Sequence, residues 1–261
     1  MQIDEPTDAL ARFRAQDLDA AMADVARKQG LVTPMFDVIA PRYDAFTRLF
    51  SFGMDASWKR DLIAATTIHA RAARTALDIA CGTGDLGIAL ATALPALRVT
   101  GVDPSVEMLR LAGTRTGTDA ERRVTYAVGE FAALPSETAS VDVITAGYGF
   151  RNAPDLDAAI RECARVLRPG GTLGSLDFFL PTNALWRALF LWYLRMAGNL
   201  VGWWWHRTPA IYGYIARSID SFVTSDEFSA RLRAHGFVLI ESRQMLLGGI
   251  GLHIARREVM A

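Results

Sequence analysis

From residue 75 to residue 255, short apolar runs alternate with stretches of helical periodicity, and this alternation constrains the fold more than any other feature. Helical patterns over residues 86–94, 106–111 and 156–167 separate runs that have the length of buried strands. Strands that alternate with helices predict βαβ units, and therefore an α/β fold with a mostly parallel sheet covered by helices on both faces. The strand-like runs are residues 76–80, 99–102, 124–128, 141–146, 172–178, 237–241 and 251–255.

Two segments lie outside this alternation. Residues 1–34 are interpreted as an N-terminal arm, so that one domain is expected over residues 35–261. Between the fifth and sixth strand-like runs, a helical insertion of residues 180–235 interrupts the domain. The insertion contains five of the six tryptophans of the chain, namely Trp186, Trp192, Trp203, Trp204 and Trp205.

Composition excludes several classes of protein. Lys and Arg together number 28, as do Asp and Glu, so there is no basic excess to hold a nucleic acid. The two cysteines, Cys81 and Cys163, have no metal-ligand spacing, and no metal site is expected. The N-terminus lacks the features of a secretory signal, and no run of about 18 apolar residues predicts a transmembrane helix, so a cytoplasmic protein is expected.

A glycine-rich loop follows the first strand-like run. Gly82 and Gly84 stand directly before a helical pattern, where glycine allows positive φ and a close approach of the backbone to a ligand. Ligands of open α/β sheets bind at this place, beyond the carboxyl ends of the strands. Residues 82–87 also match G-x-G-x-x-G, a weak signal that by itself suggests a dinucleotide.

Carboxylates around the loop favour a different cofactor. Asp78 and Asp85 flank the loop, and their charges would repel a pyrophosphate but suit the ammonium and sulfonium groups of S-adenosylmethionine. Asp103 ends the next strand, where a carboxylate accepts hydrogen bonds from the ribose diol of either cofactor. Together the three acids favour S-adenosylmethionine, with S-adenosylhomocysteine as the product.

Residues 76–85 resemble the first motif of class I methyltransferases, and further stretches resemble the ubiquinone/menaquinone biosynthesis C-methyltransferases. The resemblance runs from about residue 35 to the C-terminus, and residues 35–60 and 148–153 are its specific parts. It implies a Rossmann-like, seven-stranded, mostly parallel sheet whose last strand is antiparallel. It also implies methylation of a ring carbon of a prenylated quinol, such as a demethylmenaquinol. The other matching stretches are residues 165–171, 212–219 and 248–253.

The cofactor-binding residues follow from the loop, the acids and this resemblance. Thr83 and Asp103 match cofactor-contacting positions of the family, and Gly147 stands where the family often has Ser. Phe131 could stack on the adenine, and Glu130 could accept a hydrogen bond from the adenine amino group. The full expected set is Asp78, Ala80, Gly82, Thr83, Gly84, Asp103, Glu130, Phe131 and Gly147.

Methylation of a ring carbon needs a base or a cation, because the carbon is a poor nucleophile until a neighbouring hydroxyl ionises. Arg151 is the first candidate, since a guanidinium beside the cleft could stabilise a phenolate; an ion pair with Asp155 or Asp157 is the alternative interpretation. Tyr43 is the second candidate, as a hydrogen-bond donor near the methyl group or else an ordinary core tyrosine. The lower-ranked candidates for a general base are His253 and His206.

The aromatic insertion has two interpretations. It could pack on the domain as a lid, or it could line a tunnel for an isoprenoid tail and reach the membrane interface through Trp203 to Trp205. Three consecutive tryptophans cannot all face one core, which favours the second interpretation. We therefore expect a lipophilic small-molecule substrate and peripheral membrane contact, and the oligomeric state stays open, with a homodimer as one option.

Other functions remain in competition at this point. A methyltransferase of the same fold could act on a phenolic natural product or on another isoprenoid, such as a prenyl diphosphate. An NAD-dependent oxidoreductase is disfavoured because the chain has no Tyr-x-x-x-Lys pair, and a catalytically silent binding module is left open. A diphosphate would need basic side chains in the insertion, for which the candidates are Arg187, Arg195, Arg207 and Arg217.

Overall fold

The computed structural model describes residues 25–206 and 210–259, and a seven-stranded sheet forms its centre. The strands are β1 (Thr75–Ile79), β2 (Arg98–Asp103), β3 (Val124–Val128), β4 (Val141–Gly147), β5 (Leu167–Phe178), β6 (Phe237–Met245) and β7 (Ile250–Arg257). Their spatial order is β3-β2-β1-β4-β5-β7-β6. Pairing is parallel from β3 to β5, whereas β7 pairs antiparallel with both β5 and β6. The expected α/β fold with an antiparallel last strand is confirmed.

Helices cover both faces of the sheet and also form a separate layer. They begin at local signals: Ser105 caps one helix by accepting a hydrogen bond from the N–H of Met108 at 3.1 Å, and Thr224 with Glu227 forms a capping box at another. The described α-helices are α1 (Val25–Ile39), α2 (Tyr43–Phe50), α3 (Asp55–Ile68), α4 (Asp85–Ala93), α5 (Val106–Gly113), α6 (Asp119–Arg122), α7 (Leu156–Val166), α8 (Ala184–His206), α9 (Ala210–Asp220) and α10 (Ser225–Ala234).

The core has two halves because successive side chains of a strand point to opposite faces of the sheet. Val143 of β4 packs in the same cluster as Leu62 of α3. Its neighbour Ile144 packs in the other cluster, with Ile160 of α7 and Phe228 of α10. Each apolar side chain that is fully buried in this way contributes roughly 1.5–3 kcal/mol. The two clusters, one on each face of the sheet, fix the positions of β1 and β4. The ends of these strands carry the site described below.

A third apolar cluster joins the two segments that lie outside the βαβ alternation. Met35 of α1 and Phe46 of α2 pack there with Leu194 of α8 and Tyr214 of α9. The expected boundary between residues 34 and 35 falls inside α1, and Val32 on its other side is buried in the same cluster. Residues 1–24 of the expected arm lie outside the described residues. In the part of the chain that the structure describes, no helix has the length and apolar character needed to cross a bilayer.

Candidate active site

The loop that follows β1 turns sharply because three of its residues adopt positive φ. Ala80, Gly82 and Gly84 have φ of 54°, 53° and 88°, the left-handed region that glycine enters without strain. Gly84 is the N-cap of α4, so the loop ends where that helix begins. Ala80 carries a methyl group, and a Cβ added to Gly149 would lie 2.7 Å from it. The backbone segments at Ala80 and Gly149 can therefore approach each other this closely because Gly149 has no side chain.

A cleft of about 730 Å³, the cofactor cleft, opens beside this loop at the carboxyl ends of the strands. This is where open α/β sheets bind their ligands. Val32 and Thr33 of α1 also line the cleft, although both belong to the segment expected to be an arm. The expected cofactor residues that line the cleft are Ala80, Gly82, Asp103, Glu130, Phe131 and Gly147.

Asp103 connects the glycine loop to the end of β2. Its Oδ2 accepts a hydrogen bond from the N–H of Gly82 at 2.9 Å, and its Oδ1 accepts one from the N–H of Ser105 at 2.9 Å. Burial raises the pKa of the Asp103 carboxyl to about 6, against the opposing effect of these two amides. Each carboxylate oxygen can accept a further hydrogen bond, so Asp103 keeps the capacity to hold a diol.

Asp78, Thr83 and Gly84 do not line the cleft. Asp78 is 1% exposed, and its Oδ1 accepts a hydrogen bond from Thr145 Oγ1 at 2.8 Å. Its Oδ2 accepts one from the N–H of Gly87 at 2.9 Å. Burial raises the pKa of the Asp78 carboxyl to about 7. In this structure the Asp78 carboxyl joins β1 to β4 and to α4 through these two hydrogen bonds, and it thereby stabilises the glycine loop between β1 and α4.

The side chains around the start of α4 are paired with each other. Thr83 Oγ1 donates a hydrogen bond to Asp44 Oδ1 at 2.9 Å, which joins the loop to α2. Asp85 forms ion pairs with Lys59 at 3.2 Å and with Arg115 at 2.6 Å. Burial alone would raise the pKa of Asp85, but these two cations hold it below its usual value. The charge of Asp85 is therefore balanced within the protein, and Asp85 does not line the cofactor cleft.

A second cavity of about 570 Å³, the inner cavity, shares Phe36, Tyr43 and Tyr148 with the cofactor cleft. Side chains from α1, α2, α3 and α9 supply much of its wall, and most of them are apolar. Such a cavity suits a largely apolar molecule with a few polar groups. The polar side chains that line it are Tyr43, Thr47, Ser51, Asp55, Tyr148, Arg151 and Tyr214.

Arg151 lines the inner cavity and is 5% exposed. Its Nη1 donates hydrogen bonds to Asp177 Oδ1 at 3.0 Å and to the carbonyl of Tyr148 at 2.6 Å. The guanidinium carbon also lies 5.3 Å from the centre of the Phe178 ring. The expectation of an ion pair to Asp155 or Asp157 is wrong, because the end of β4 adjoins the end of β5, which supplies Asp177.

Tyr43 stands between the cofactor cleft and the inner cavity and lines both. Burial raises the pKa of its hydroxyl, although Arg151 and Lys59 act in the opposite direction. Its ring meets Phe36 edge-on, with the ring centres 5.9 Å apart. A hydroxyl that stays protonated at this junction can donate a hydrogen bond to a molecule in either space.

The structure does not bring His253, one of the two candidate histidines, to either cavity. His253 of β7 is 1% exposed and packs among aromatic rings, with its Nε2 3.1 Å from Ser225 Oγ. Burial lowers the pKa of His253 to about 4. His253 lines neither the cofactor cleft nor the inner cavity. The side chain of His206 lies outside the described residues.

The polar residues of the inner cavity that sequence reasoning missed include Asp55 and Tyr148. Asp55 is 7% exposed; its Oδ1 accepts a hydrogen bond from Ser51 Oγ at 3.0 Å, and its Oδ2 lies 3.6 Å from Lys59 Nζ. Tyr148 follows β4 with φ of 59°. The only sequence signal for Asp55 was an acid at the start of an amphipathic helix, which ordinarily indicates a solvent-exposed capping position.

The insertion supplies an apolar surface beside the inner cavity. A groove of about 960 Å³, the outer groove, shares Phe50, Ser51, Trp58 and Phe178 with the inner cavity. Exposed apolar residues follow one another along α8 at spacings of three and four, which places them on one face of the helix. This apolar stripe consists of Leu185, Leu189, Trp192, Met196, Leu200 and Trp203. Trp204 is also exposed, and the side chain of Trp205 lies outside the described residues.

The sheet order, the antiparallel β7 and the glycine loop next to an acid at the end of β2 define a class I methyltransferase. A solved S-adenosylmethionine-dependent methyltransferase from Thermotoga maritima has the same fold: its TM-score is 0.59 at 15% identity, and the match covers 86% of this chain and 99% of that chain. At this identity the likeness shows the fold that the chain shares with this class of enzymes.

Similar proteins and a family model show which family within this class the chain belongs to. The chain is 37% identical over 221 residues to the ubiquinone/menaquinone biosynthesis C-methyltransferase UbiE of Syntrophotalea carbinolica, covering 83% of this chain and 90% of the relative. It is 34% identical to the demethylmenaquinone methyltransferase of Deinococcus radiodurans, covering 83% and 88%. The sequence model of the ubiE/COQ5 methyltransferase family matches residues 22–257, and the chain belongs to this family of S-adenosylmethionine-dependent enzymes.

Proposed function

We propose that this protein transfers a methyl group from S-adenosylmethionine to a ring carbon of a prenylated quinol such as a demethylmenaquinol. The observation that carries the proposal is a series of three adjacent spaces, since the inner cavity shares lining residues with the cofactor cleft and with the outer groove. A ring in the inner cavity would face the cleft, and an apolar tail would extend along the outer groove. The pathway names of the relatives agree with this class of substrate.

The cofactor cleft suits S-adenosylmethionine because it offers hydrogen-bond acceptors and backbone without side chains. Asp103 retains acceptor capacity for the ribose diol, and Phe131 with Glu130 lies where the adenine would bind. A Cβ at Gly147 would lie 2.5 Å from Leu86 Cδ1, so the backbone there is pressed against α4 and presents no side chain to the cleft. When bound, the cofactor supplies an electrophilic methyl group on positively charged sulfur.

The inner cavity supplies the groups that activate the acceptor. The hydroxyl beside the reacting carbon must lose its proton for the ring to become nucleophilic. After methylation that carbon loses its own C–H proton, and the oxygen regains a proton, which restores the aromatic quinol. Asp55 is the one carboxylate among the described residues that line the inner cavity, and we assign it as the acceptor of that proton. Arg151, held in place by Asp177, stabilises the negative charge left on the ring oxygen. Tyr43 orients the ring at the junction with the cleft.

A lipid-borne substrate also explains the apolar stripe of α8. Trp203 and Trp204 are 63% and 70% exposed, and tryptophan favours the membrane interface. We expect the Trp203→Ser/Trp204→Ser double variant to lose binding to phosphatidylglycerol vesicles in a sedimentation assay. The Ile68→Ser variant, which removes an equally exposed apolar side chain from α3, is the control and should bind as the unchanged protein does. Equal binding by all three proteins would remove membrane contact from the proposal.

A prenyl diphosphate has less support as the acceptor. Of the residues proposed for it, Arg195 pairs with Asp220 at 3.2 Å on the surface, and neither Arg187 nor Arg217 lines the inner cavity. Arg207 lies outside the described residues. Arg151 is the one cation among the described residues that line the cavity, and Asp177 already pairs with it.

The deciding experiment incubates the protein with S-adenosylmethionine labelled in the methyl group and a panel of acceptors. The panel contains demethylated naphthoquinols and benzoquinols with short prenyl tails, prenyl diphosphates and simple phenols. We expect label in the ring of a prenylated quinol and none in the diphosphates. Transfer to a diphosphate alone, or to no quinol, would contradict the proposed substrate.

A further inference from the structure

The hydroxyl of Tyr148 stands out among the polar groups of the inner cavity. The side chain is 6% exposed, and no described residue forms a hydrogen bond with its hydroxyl. Tyr148 lines both the cofactor cleft and the inner cavity, so it lies where a methyl donor and an acceptor ring would meet. Buried hydroxyls normally have a partner, because an unpaired one has lost its bonds to water.

The backbone holds Tyr148 in a conformation that a tyrosine adopts rarely. Its φ is 59°, in the left-handed region. Its N–H donates to the carbonyl of Leu176 at 2.7 Å, and its own carbonyl accepts from Arg151 Nη1 at 2.6 Å and from Asn152 Nδ2 at 3.3 Å. The strain is thus maintained by three hydrogen bonds from the ends of β4 and β5. Strain of this kind is concentrated at functional sites.

The ring of Tyr148 is fixed as firmly as its backbone. It packs against Phe178, with the ring centres 5.4 Å apart. Burial raises the pKa of its hydroxyl well above the usual value, and the carboxylates of Asp55 and Asp177 act in the same direction. Tyr148 is therefore protonated at neutral pH and offers a hydrogen-bond donor, not a base, to whatever occupies the cavity.

We propose that the Tyr148 hydroxyl is a catalytic hydrogen-bond donor to the oxygen that neighbours the methylated ring carbon, and that it thereby selects acceptors with an oxygen at this position. The assignment rests on the proposed function. As the acceptor hydroxyl gives its proton to Asp55, negative charge grows on that oxygen, and the O–H of Tyr148 donates to it without transferring its own proton. The bond is stronger to the ionised oxygen than to the neutral one, so it favours the reacting state.

The test compares two variants that each remove one buried hydroxyl. Tyr126 on β3 also has a buried hydroxyl with no hydrogen-bond partner among the described residues, but it lines neither the cofactor cleft nor the inner cavity. We expect Tyr148→Phe to lower kcat on the order of 10²-fold, the effect of losing one donor to a developing oxyanion, while the KM for the quinol changes little. Tyr126→Phe should keep the kcat and KM of the unchanged protein.

Two further measurements separate this role from a structural one. Because Tyr148→Phe loses no hydrogen bond within the protein, its melting temperature should be equal to or above that of the unchanged protein. The pH at which kcat reaches half of its plateau should rise, because the ring oxygen ionises with less help. Unchanged kcat in Tyr148→Phe, an equal loss in Tyr126→Phe, or a loss accompanied by a fall in melting temperature would each overturn the assignment.

These results are distinguishable from a failure of the proposed function. If the unchanged protein methylates no quinol in the acceptor panel, the substrate class is wrong. If it methylates a quinol and Tyr148→Phe does so equally well, only the role of Tyr148 is wrong.

Discussion

The cofactor cleft and the inner cavity share a wall, but they are built in different ways. Much of the cleft is formed at the ends of strands, by backbone and short loops such as residues 80–82 and 147–149. The inner cavity is formed by side chains of helices from distant parts of the chain, from Met35 of α1 to Tyr214 of α9. The first site follows from the order of the sheet, whereas the second depends on how the helices pack over it. We therefore expect changes in the two spaces to have separable effects.

The largest separable effect is expected at Asp103. Asp103→Ala removes the acceptors for the Gly82 and Ser105 amides and the group expected to hold the ribose diol. We expect affinity for S-adenosylhomocysteine to fall at least about 10²-fold, since charged hydrogen bonds are lost on both sides of the carboxylate. Isothermal titration calorimetry measures this loss. Asp119→Ala, on the surface of α6, serves as the control, and equal affinity in both variants would remove Asp103 from the cofactor site.

In the inner cavity, Arg151→Lys should slow methyl transfer to the acceptor and leave cofactor binding unchanged. Lysine keeps a charge beside Asp177 but loses the fork of donors that also binds the Tyr148 carbonyl. We expect kcat for the quinol to fall by roughly 10²-fold, with unchanged affinity for S-adenosylhomocysteine. Arg195→Lys, in the exposed pair with Asp220, should be fully active. If Arg151→Lys were fully active as well, Arg151 would have no part in catalysis.

A single methyl group tests the shape of the cleft. Gly147→Ala would place a Cβ 2.5 Å from Leu86 Cδ1, so Leu86 must move within a packed region. We expect a loss of about 1–3 kcal/mol in the free energy of unfolding, and cofactor affinity should fall by about tenfold as the shift reaches the cleft. Gly113→Ala, at the end of α5, meets nothing within 4 Å and should leave both quantities unchanged or the stability slightly higher. Denaturant titration and calorimetry on both variants decide the matter.

The last prediction concerns Asp78, whose carboxyl supports the glycine loop. Because the pKa of the Asp78 carboxyl rises from 3.8 to about 7 on folding, the folded protein holds this proton more tightly than the unfolded chain does. The stability from this proton is fully present below pH 4 and is lost as the pH rises through about 7. It contributes at most about 1.4 kcal/mol per pH unit. Urea unfolding at pH 5, 6, 7 and 8 should give a flatter profile for Asp78→Asn than for the unchanged protein; an identical slope would contradict the shift.

The sequence predicted the part of the molecule that depends on local patterns. The strand-like runs and the position of Gly82 located the cleft, because a loop after the first strand of an α/β sheet lies at a fixed edge. Asp103 was found for the same reason, since it ends the neighbouring strand. Each of these predictions needs only the order of residues along the chain and a general rule for parallel sheets.

The remaining features depend on contacts between residues far apart in the sequence. The charge of Asp85 is balanced by Lys59 and Arg115, which lie 26 and 30 positions away, so its isolated charge was a poor guide. Arg151 pairs with Asp177 because β4 and β5 are neighbours in the sheet, whereas nearby acids in the sequence point elsewhere. That Tyr148 and Asp55 line one cavity follows only from the structure, in which helices from distant parts of the chain pack around them.

The close approach of Ala80 and Gly149 restricts the order in which these positions can change during evolution. A methyl gained at Gly149 meets the methyl of Ala80, so this substitution alone introduces a clash. A glycine at position 80 would first relieve the positive φ and free the shared space. An alanine at position 149 would still lie 3.0 Å from Cζ of Phe131, so that ring would have to shift as well. The effect of a substitution at Gly149 therefore depends on which residues already occupy positions 80 and 131.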